Sequence, residues 1–421
     1  MWSLLRRNPS FRRLFSALVV SYAGDWFATV AAIGLLLDAT GSDLLASLFW
    51  VAQSLPTFVM GPFAGTVADR FDRRRILIVV SFAQSATALL FLLAGAGLPW
   101  MVFVAQGGIT LLGAFFGPAA QAGVANIVDE EDLATATAMI AATWGAMLAV
   151  GAALGAGFTV LFGRNAAFIA DAASFFTAGV LLLSIRRSMQ ADSKGDQRSE
   201  RMHPITDTIE ALRHARRHPA ILALFGSHIG FGFGAGVVGL LAVLATEKFD
   251  GGDGATGLLL AGRGLGVLIG PLLIRRLVAR GIHGVLLACG LAAIGYGTMY
   301  LGVALAPYLI IAAIGVTLAH MGGGAQWALT TYGLQLLTPD ALRGRIFAAD
   351  FALVTLAMSL SLGFAGLLGG IIGPSLTIGI IAIASLVWGC VFLVITRNLR
   401  ADAEAEAAVV SADSARVTEL P

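Results

Sequence analysis

Charge is what this chain has least of. Only 12% of its 421 residues are Asp, Glu, Lys or Arg, roughly half the share of an ordinary soluble domain, whereas 57% are hydrophobic and mean hydropathy is +0.85. A soluble fold of ordinary make-up is excluded, and an integral membrane protein remains. Cysteine is nearly absent: Cys289 and Cys390 both fall inside apolar runs, which excludes a disulfide framework or a cysteine metal site. The net charge is only +2, and the arginines are sorted by loop instead of gathered on one surface, so nucleic acid is not an expected partner. No G-x-x-x-x-G-K-[ST] stretch occurs, so ATP does not drive this chain directly. No enzymatic constellation or cofactor site is read, and the chain is expected not to be an enzyme.

What is present is a succession of long apolar runs. Four arginines, Arg6, Arg7, Arg12 and Arg13, precede the first, and Asn8-Pro9 reads as an N-cap followed by proline at the first helical position. That run is roughly 24 residues, enough to span a bilayer and more than a secretory signal carries. Taking about 20 apolar residues as a span, crossings are expected near 14–38, 44–67, 76–97, 100–122, 135–162, 166–184, 220–245, 255–274, 285–305, 308–331, 346–370 and 375–396, twelve in all.

Arginine and lysine test that count, because positive charge in short loops is retained on the cytoplasmic side. With twelve spans nearly all of it falls on one face, including Arg70, Arg73 to Arg75, the cluster from Arg186 to Arg217, Arg275, Arg276, Arg280, Arg343, Arg345, Arg397, Arg400 and Arg416. Only Arg164 and Lys248 lie opposite, and Arg263 lies within a span. Both termini are therefore expected in the cytoplasm. A polar stretch over 185–219 divides six spans (1–184) from six (220–396), with a disordered tail expected over 397–421. Within the linker Asp207-x-x-Glu210 resembles a capping box, and Ile205, Ile209 and Leu212 recur opposite Arg213, Arg216 and Arg217, which predicts an amphipathic helix on the inner membrane surface. The halves echo each other at an offset of about 209 residues, as internal duplication would leave them.

Gly65-Thr-Val-Ala-Asp69-Arg70-Phe-Asp72-Arg73-Arg74-Arg75 is a knot of charge between two apolar runs, expected as a tight turn at the cytoplasmic face. Its pattern, G-x-x-x-D-R-x-x-R-R, resembles the loop between helices 2 and 3 of the major facilitator superfamily, and Asp72 in place of the usual glycine resembles the branch of macrolide efflux proteins and the enterobactin exporter. The resemblance covers Asn8 to Arg400. It implies an all-α fold of twelve transmembrane helices in two pseudo-symmetric six-helix bundles around a central cavity. It also implies a cytoplasmic gate in which Asp69, with Gly65, Arg70, Arg73 and Arg74, sits against the start of helix 11, where unpaired N–H groups favour a carboxylate. Asp350 is expected near Arg343, Arg345 or that loop, in the same gate. The plain alternative is that the loop only obeys the positive-inside rule. In the fifth span, Gly145, Gly151, Gly155 and Gly157 resemble a degraded antiporter motif, although small residues at such spacing pack membrane helices closely whatever the function.

Ionisable groups inside the bilayer are costly and mark pathways. Asp25, in a Gly24-Asp25 pair familiar in that branch, falls near the midplane and is expected to be the one acid at that depth, which makes it the candidate proton-coupling group. Arg263 needs a compensating partner, with Asp25 or an acidic ligand as the choices. His228 and His320 titrate near neutral pH in water, so they are further proton-coupling or substrate candidates, with hydrogen-bonded packing as the alternative. Asp171 is expected near the outer end of the sixth span in a structural role, and Trp144 and Gln326 as cavity lining. These readings predict a monomeric, proton-coupled exporter of small amphipathic molecules such as drugs or macrolides, in the bacterial inner membrane. Its partners would be substrate, protons and lipid. The alternatives are a dedicated siderophore or other metabolite exporter and, from another class, a membrane sensor or assembly factor.

Overall fold

A computed structural model describes residues 2–190, 204–273 and 281–404. Lys194, Arg198, Arg201, Arg275, Arg276, Arg280 and Arg416, all assigned to the inner face above, lie outside the described residues. The described chain is helical, with twelve helices or helix runs long and apolar enough to cross a membrane.

A short helix, α1 (Trp2–Arg7), leads into α2 (Pro9–Thr40). Asn8 caps α2 as expected, its side chain accepting from Phe11 N, with Pro9 at the first helical position. Gly41 (φ 60°) ends that helix in the left-handed region, its N–H bonded to Leu37 O at 2.8 Å. Ser42 then caps α3 (Asp43–Arg70). The charge knot is therefore not a loop over 65–75: α3 carries the helix through Asp69 and Arg70, and only Phe71 and Asp72 are extended before α4 (Arg73–Ala88). Asp72 accepts from Arg75 N at 2.8 Å, so the acid that stands where glycine is usual serves as the N-cap of α4.

The third crossing tightens around Leu89 and Leu90 through short-range bonds, Leu90 N to Thr87 O at 3.0 Å and Leu92 N to Leu89 O at 3.1 Å, before α5 (Phe91–Gly95). α6 (Met101–Ile127), α7 (Glu130–Phe162) and α8 (Arg164–Leu183) complete the first half. α9 (Pro204–Arg217) belongs to the connection. It begins three residues before Asp207, so the expected capping box does not start the helix. Nor does α9 only lie on a lipid surface, since Ala215 is fully buried and Arg345 donates to Glu210 at 2.7 Å.

The seventh crossing is broken into α10 (Pro219–Gly234), α11 (Gly236–Gly239) and α12 (Leu241–Glu247). Alternating glycines between 230 and 236 weaken the helix. α13 (Gly252–Leu273), α14 (Gly281–Leu305), α15 (Leu309–Leu337), α16 (Asp340–Ile372) and α17 (Pro374–Ile395) follow. Positions 397–404, expected as part of a disordered tail, continue as helix, held where His283 Nδ1 meets Arg400 O at 2.9 Å.

The duplication is plainer in backbone than in sequence. α7 and α16 each run 33 residues and end on a glycine at φ 84° and 85°, Gly163 and Gly373, a conformation that side chains disfavour.

Two further facts position the site. One core cluster joins both halves, linking Ile33, Phe49 and Phe168 with Leu241, Tyr300 and Ile378, and it lies toward the face opposite the chain ends. Toward the face that carries the chain ends the core splits: Phe11, Leu14 and Val124 close the first half, while Phe225, Leu286 and Ile346 close the second. The bundles are thus packed together at the far face and cored separately at the terminal face.

Candidate functional site

A cavity of about 440 Å³ opens beside the middle of α2. Asp25, Tyr22 and Trp26 of α2 line it together with Gln53 of α3, Asp171 of α8 and Arg263 of α13. Gln84 and Gln106 add amide edges, and Gln84 Nε2 is fixed on Ile109 O at 3.0 Å. Ser21, Thr29, Thr57 and Thr110 add hydroxyls, and the rest of the wall is aromatic, aliphatic or glycine, as a site for an amphipathic ligand requires. Arg263 comes from the second half, and the other lining residues named here come from the first.

The structure places Asp25 and Arg263 on one cavity, but no ion pair joins them. Arg263 lies over the Trp50 ring, its guanidinium carbon 5.4 Å from the centroid, and its Nε is buried with no hydrogen-bond partner. Asp25 is not the one acid at its depth. Asp171 sits on the cavity wall across Gly24, where a Cβ would lie 3.0 Å from Asp171 Oδ1 and collide with Ser174 Oγ. Glycine at 24 lets α8 bring the second carboxyl against α2. Asp171 is 1% exposed and neither of its carboxyl oxygens has a hydrogen-bond partner. No hydrogen bond to its carboxyl among the described residues supports the structural role expected for Asp171. Two carboxyls and one guanidinium share this cavity with no ion pair between them, which a ligand or a proton has to complete.

The other ionisable candidates lie elsewhere. His228 Nδ1 bonds Asp350 Oδ2 at 2.6 Å, both side chains buried, with the imidazole tilted over Trp327 at 4.8 Å. Asp350 is thus bonded inside the second bundle: its partner is His228, and among the described residues no bond to Arg343 or Arg345 joins it. His320 is also buried, between Val316 O (3.2 Å) and the Tyr300 hydroxyl (3.3 Å). Gln326 does not line the cavity; it donates to Ser227 O and Oγ at 2.9 and 3.0 Å and pins α15 to α10. The side chains of Trp144 and Asp69 lie outside the described residues.

Gly151 and Gly155 pack on Trp26, and a Cβ at Gly155 would lie 2.7 Å from Trp26 O. Gly157 has open space around it. Of the four glycines of the fifth crossing, Gly151 and Gly155 therefore set how closely α7 approaches the helix that carries Asp25; a Cβ at Gly145 would make only an ordinary 3.6 Å contact with Leu268, and one at Gly157 none. A second seam, missed in the sequence, seats Gly264 on the α7 backbone at Leu148 and Ala149, next to Arg263.

Sequence reasoning also missed a far-face latch. Arg164, at the start of α8, donates to Asp38 at 2.7 Å within its own half and to Asp253 of α13 at 2.9 and 3.1 Å across the seam. A Cβ at Gly34 would collide with Asp253 Oδ1, so glycine there admits the carboxylate. The available signal was the isolation of Arg164 on a face almost free of positive charge. The other such residue, Lys248, bonds Ala304 O at 2.7 Å. At the terminal face, Arg73 reaches Ala122 O and Met189 O at 3.3 and 3.4 Å, and Arg74 reaches Leu183 O at 2.6 Å. Those bonds stay within the first half.

A family described as transmembrane secretion effector matches residues 1–418. Among curated relatives, an uncharacterized MFS-type transporter of Bacillus subtilis, YfiS, is 26% identical over 404 residues, covering 93% of each chain. The class C tetracycline resistance protein of Escherichia coli is 29% identical over 194 residues, 45% of this chain and 47% of that one. Among solved structures, a POT family transporter in complex with 5-aminolevulinic acid superposes with a TM-score of 0.73 at 13% identity, over 93% of this chain and 96% of that chain.

Proposed function

Since the chain belongs to the transmembrane secretion effector family, a group of major facilitator transporters, we propose that it is a proton-coupled exporter of small amphipathic molecules, working by alternating access in the bacterial inner membrane. The chain is a multi-pass membrane transporter and not an enzyme. The observation that carries the finer reading is the unneutralised set Asp25, Asp171 and Arg263 in a cavity beneath a closed far face. A carboxyl whose hydration changes between two states of a transporter takes and releases a proton, because loss of water disfavours its charged form. Two such groups side by side compete for protons and for a cationic portion of cargo, while Tyr22, Trp26 and Trp50 face its apolar body. The terminal face is the cytoplasmic one in this reading, so the conformation described is open toward the cytoplasm. Asp69, with Gly65, Arg70, Arg73 and Arg74, then closes that face against the start of α16 when the far face opens. Efflux as the direction draws support from a Mycobacterium bovis relative named multidrug efflux pump Tap, 34% identical over 27% of this chain.

A second reading, a siderophore or other anionic metabolite as cargo, is favoured by Arg263, whose buried Nε has no hydrogen-bond partner. Cationic and anionic test cargoes separate the two. Reconstituted in liposomes with an imposed pH gradient, the parent protein should move cargo uphill. Asp25→Asn and Asp171→Asn should each abolish the response to the gradient while retaining measurable cargo binding. A variant pair that still follows the gradient as the parent does would overturn proton coupling at this site.

A further inference from the structure

Four arginines precede or open α2, and the structure treats them in two ways. Arg7 bonds Asp132 at 3.1 Å, and Arg13 donates to Ser184 O at 2.8 Å. Arg6 and Arg12 are exposed and have no protein partner among the described residues. Arg6 and Arg12 both line one groove of about 510 Å³, whose remaining walls are Leu5, Phe15, Val19 and Val20 with the single hydroxyl of Ser16. The groove is a fixed feature. Leu4, 2% exposed, anchors α1 in the core of the first half, and Asn8 Nδ2 donates to Ile127 O at 2.6 Å at the elbow between α1 and α2.

The groove is not part of the central cavity. Its lining comes from α1 and α2 alone, and on α2 Arg12, Ser16, Val19 and Val20 fall roughly a third of a turn round from Leu18, Tyr22, Asp25 and Thr29, which face the cavity. Two like charges at the mouth of an otherwise apolar trough repel each other until an anion lies between them, and an apolar floor needs a chain to cover it. A free anion satisfies only the first demand. One molecular class satisfies both.

We propose that the groove between α1 and α2 binds a single anionic phospholipid, its phosphate held by Arg6 and Arg12 and the upper part of one acyl chain lying along Phe15, Val19 and Val20. Attraction of basic residues at the membrane surface to anionic lipid amounts to roughly fivefold in affinity per charge. The site therefore selects an anionic headgroup over a zwitterionic one and anchors the α1–α2 elbow at the level of the headgroups.

The test is native mass spectrometry of the full chain in detergent, titrated with phosphatidylglycerol or phosphatidylcholine. The parent should retain one phosphatidylglycerol and release phosphatidylcholine. Arg6→Gln and Arg12→Gln should each weaken retention about fivefold, and the double variant roughly 25-fold. Val19→Trp, which fills the trough and leaves both charges, should weaken it as well. Glycerol phosphate, with the same phosphate and no chain, should fail to displace the lipid at equal concentration. Equal retention of both lipids, full retention by the double glutamine variant, or displacement by glycerol phosphate would each overturn the proposal. Both arginines are exposed and unpartnered, so the variants should keep the parent unfolding temperature in lipid-free detergent, and each single variant stands as an independent measurement.

Discussion

Asp253→Asn should open the far face of the transporter, whereas Asp38→Asn should not, although both acids bond the same arginine. Arg164 is held by Asp38 from its own half and by Asp253 from the opposite half, and only the second contact has to break for the bundles to separate there. The Asp253 contact is bidentate, at 2.9 and 3.1 Å, with side chains 25% and 14% exposed. A charge-assisted hydrogen bond contributes about 1.5–3 kcal/mol when buried, and partial exposure reduces a pair of this kind to roughly 1–2 kcal/mol. Arg164 keeps Asp38 at 2.7 Å in the variant, so no stranded cation adds to the cost. At about 1.4 kcal/mol per factor of ten, the far-face-open population should rise by about five- to thirtyfold. Cysteines placed one on each side of the seam, at Asn165 and Thr256, would report the change as a longer spin-label distance or faster labelling from the far side. Equal behaviour of the two variants, or an unchanged seam in Asp253→Asn, would refute the assignment of Asp253 to a cross-half latch.

Other consequences are open to direct measurement. Gly155→Ala should lower folded yield, because its Cβ would press on the Trp26 carbonyl at 2.7 Å and overpacking of this kind costs about 1–3 kcal/mol, whereas Gly157→Ala, with open space, should behave as the parent in a thermal-stability assay. Asp350→Asn should depress the unfolding temperature by weakening the buried bond to His228, a loss of about 1–3 kcal/mol; an unchanged melting curve would show that the pair does not hold α16 to α10. Asp69→Asn should leave insertion intact and slow export, and equal transport at matched expression would remove Asp69 from the cytoplasmic gate. Acid should loosen α9. Burial, the stacked His218 ring and Arg217 hold His214 below its usual 6.5, so the folded state prefers the neutral ring; its contribution is complete above that value and is lost as pH falls below it. Lower amide protection factors in 204–217 at pH 5.5 than at pH 7.5, each corrected for the intrinsic exchange rate at that pH, are the expected result.

Twelve crossings, their even number and the sorting of arginine to one face were determined by the sequence alone, because apolar length and positive charge are properties of segments and need no partner to be read. The Asn8-Pro9 start of α2 is equally local, a cap and its fixed φ. Asp25 and Arg263 stood out for the same reason, as charges inside apolar runs. Their surroundings were not local. Asp171 looked like a helix-end residue by position in the sixth crossing, and only the packing of α8 on Gly24 placed its carboxyl beside Asp25. Asp350 was read toward arginines close to it in sequence, but its partner is His228, 122 residues away. The far-face latch draws on three helices from two bundles, and which aspartate crosses the seam is fixed by a glycine at 34 that carries no charge. Segment chemistry decides which groups enter the membrane. Close helix approach, set by side chains too small to leave a periodic signal, decides which of them meet.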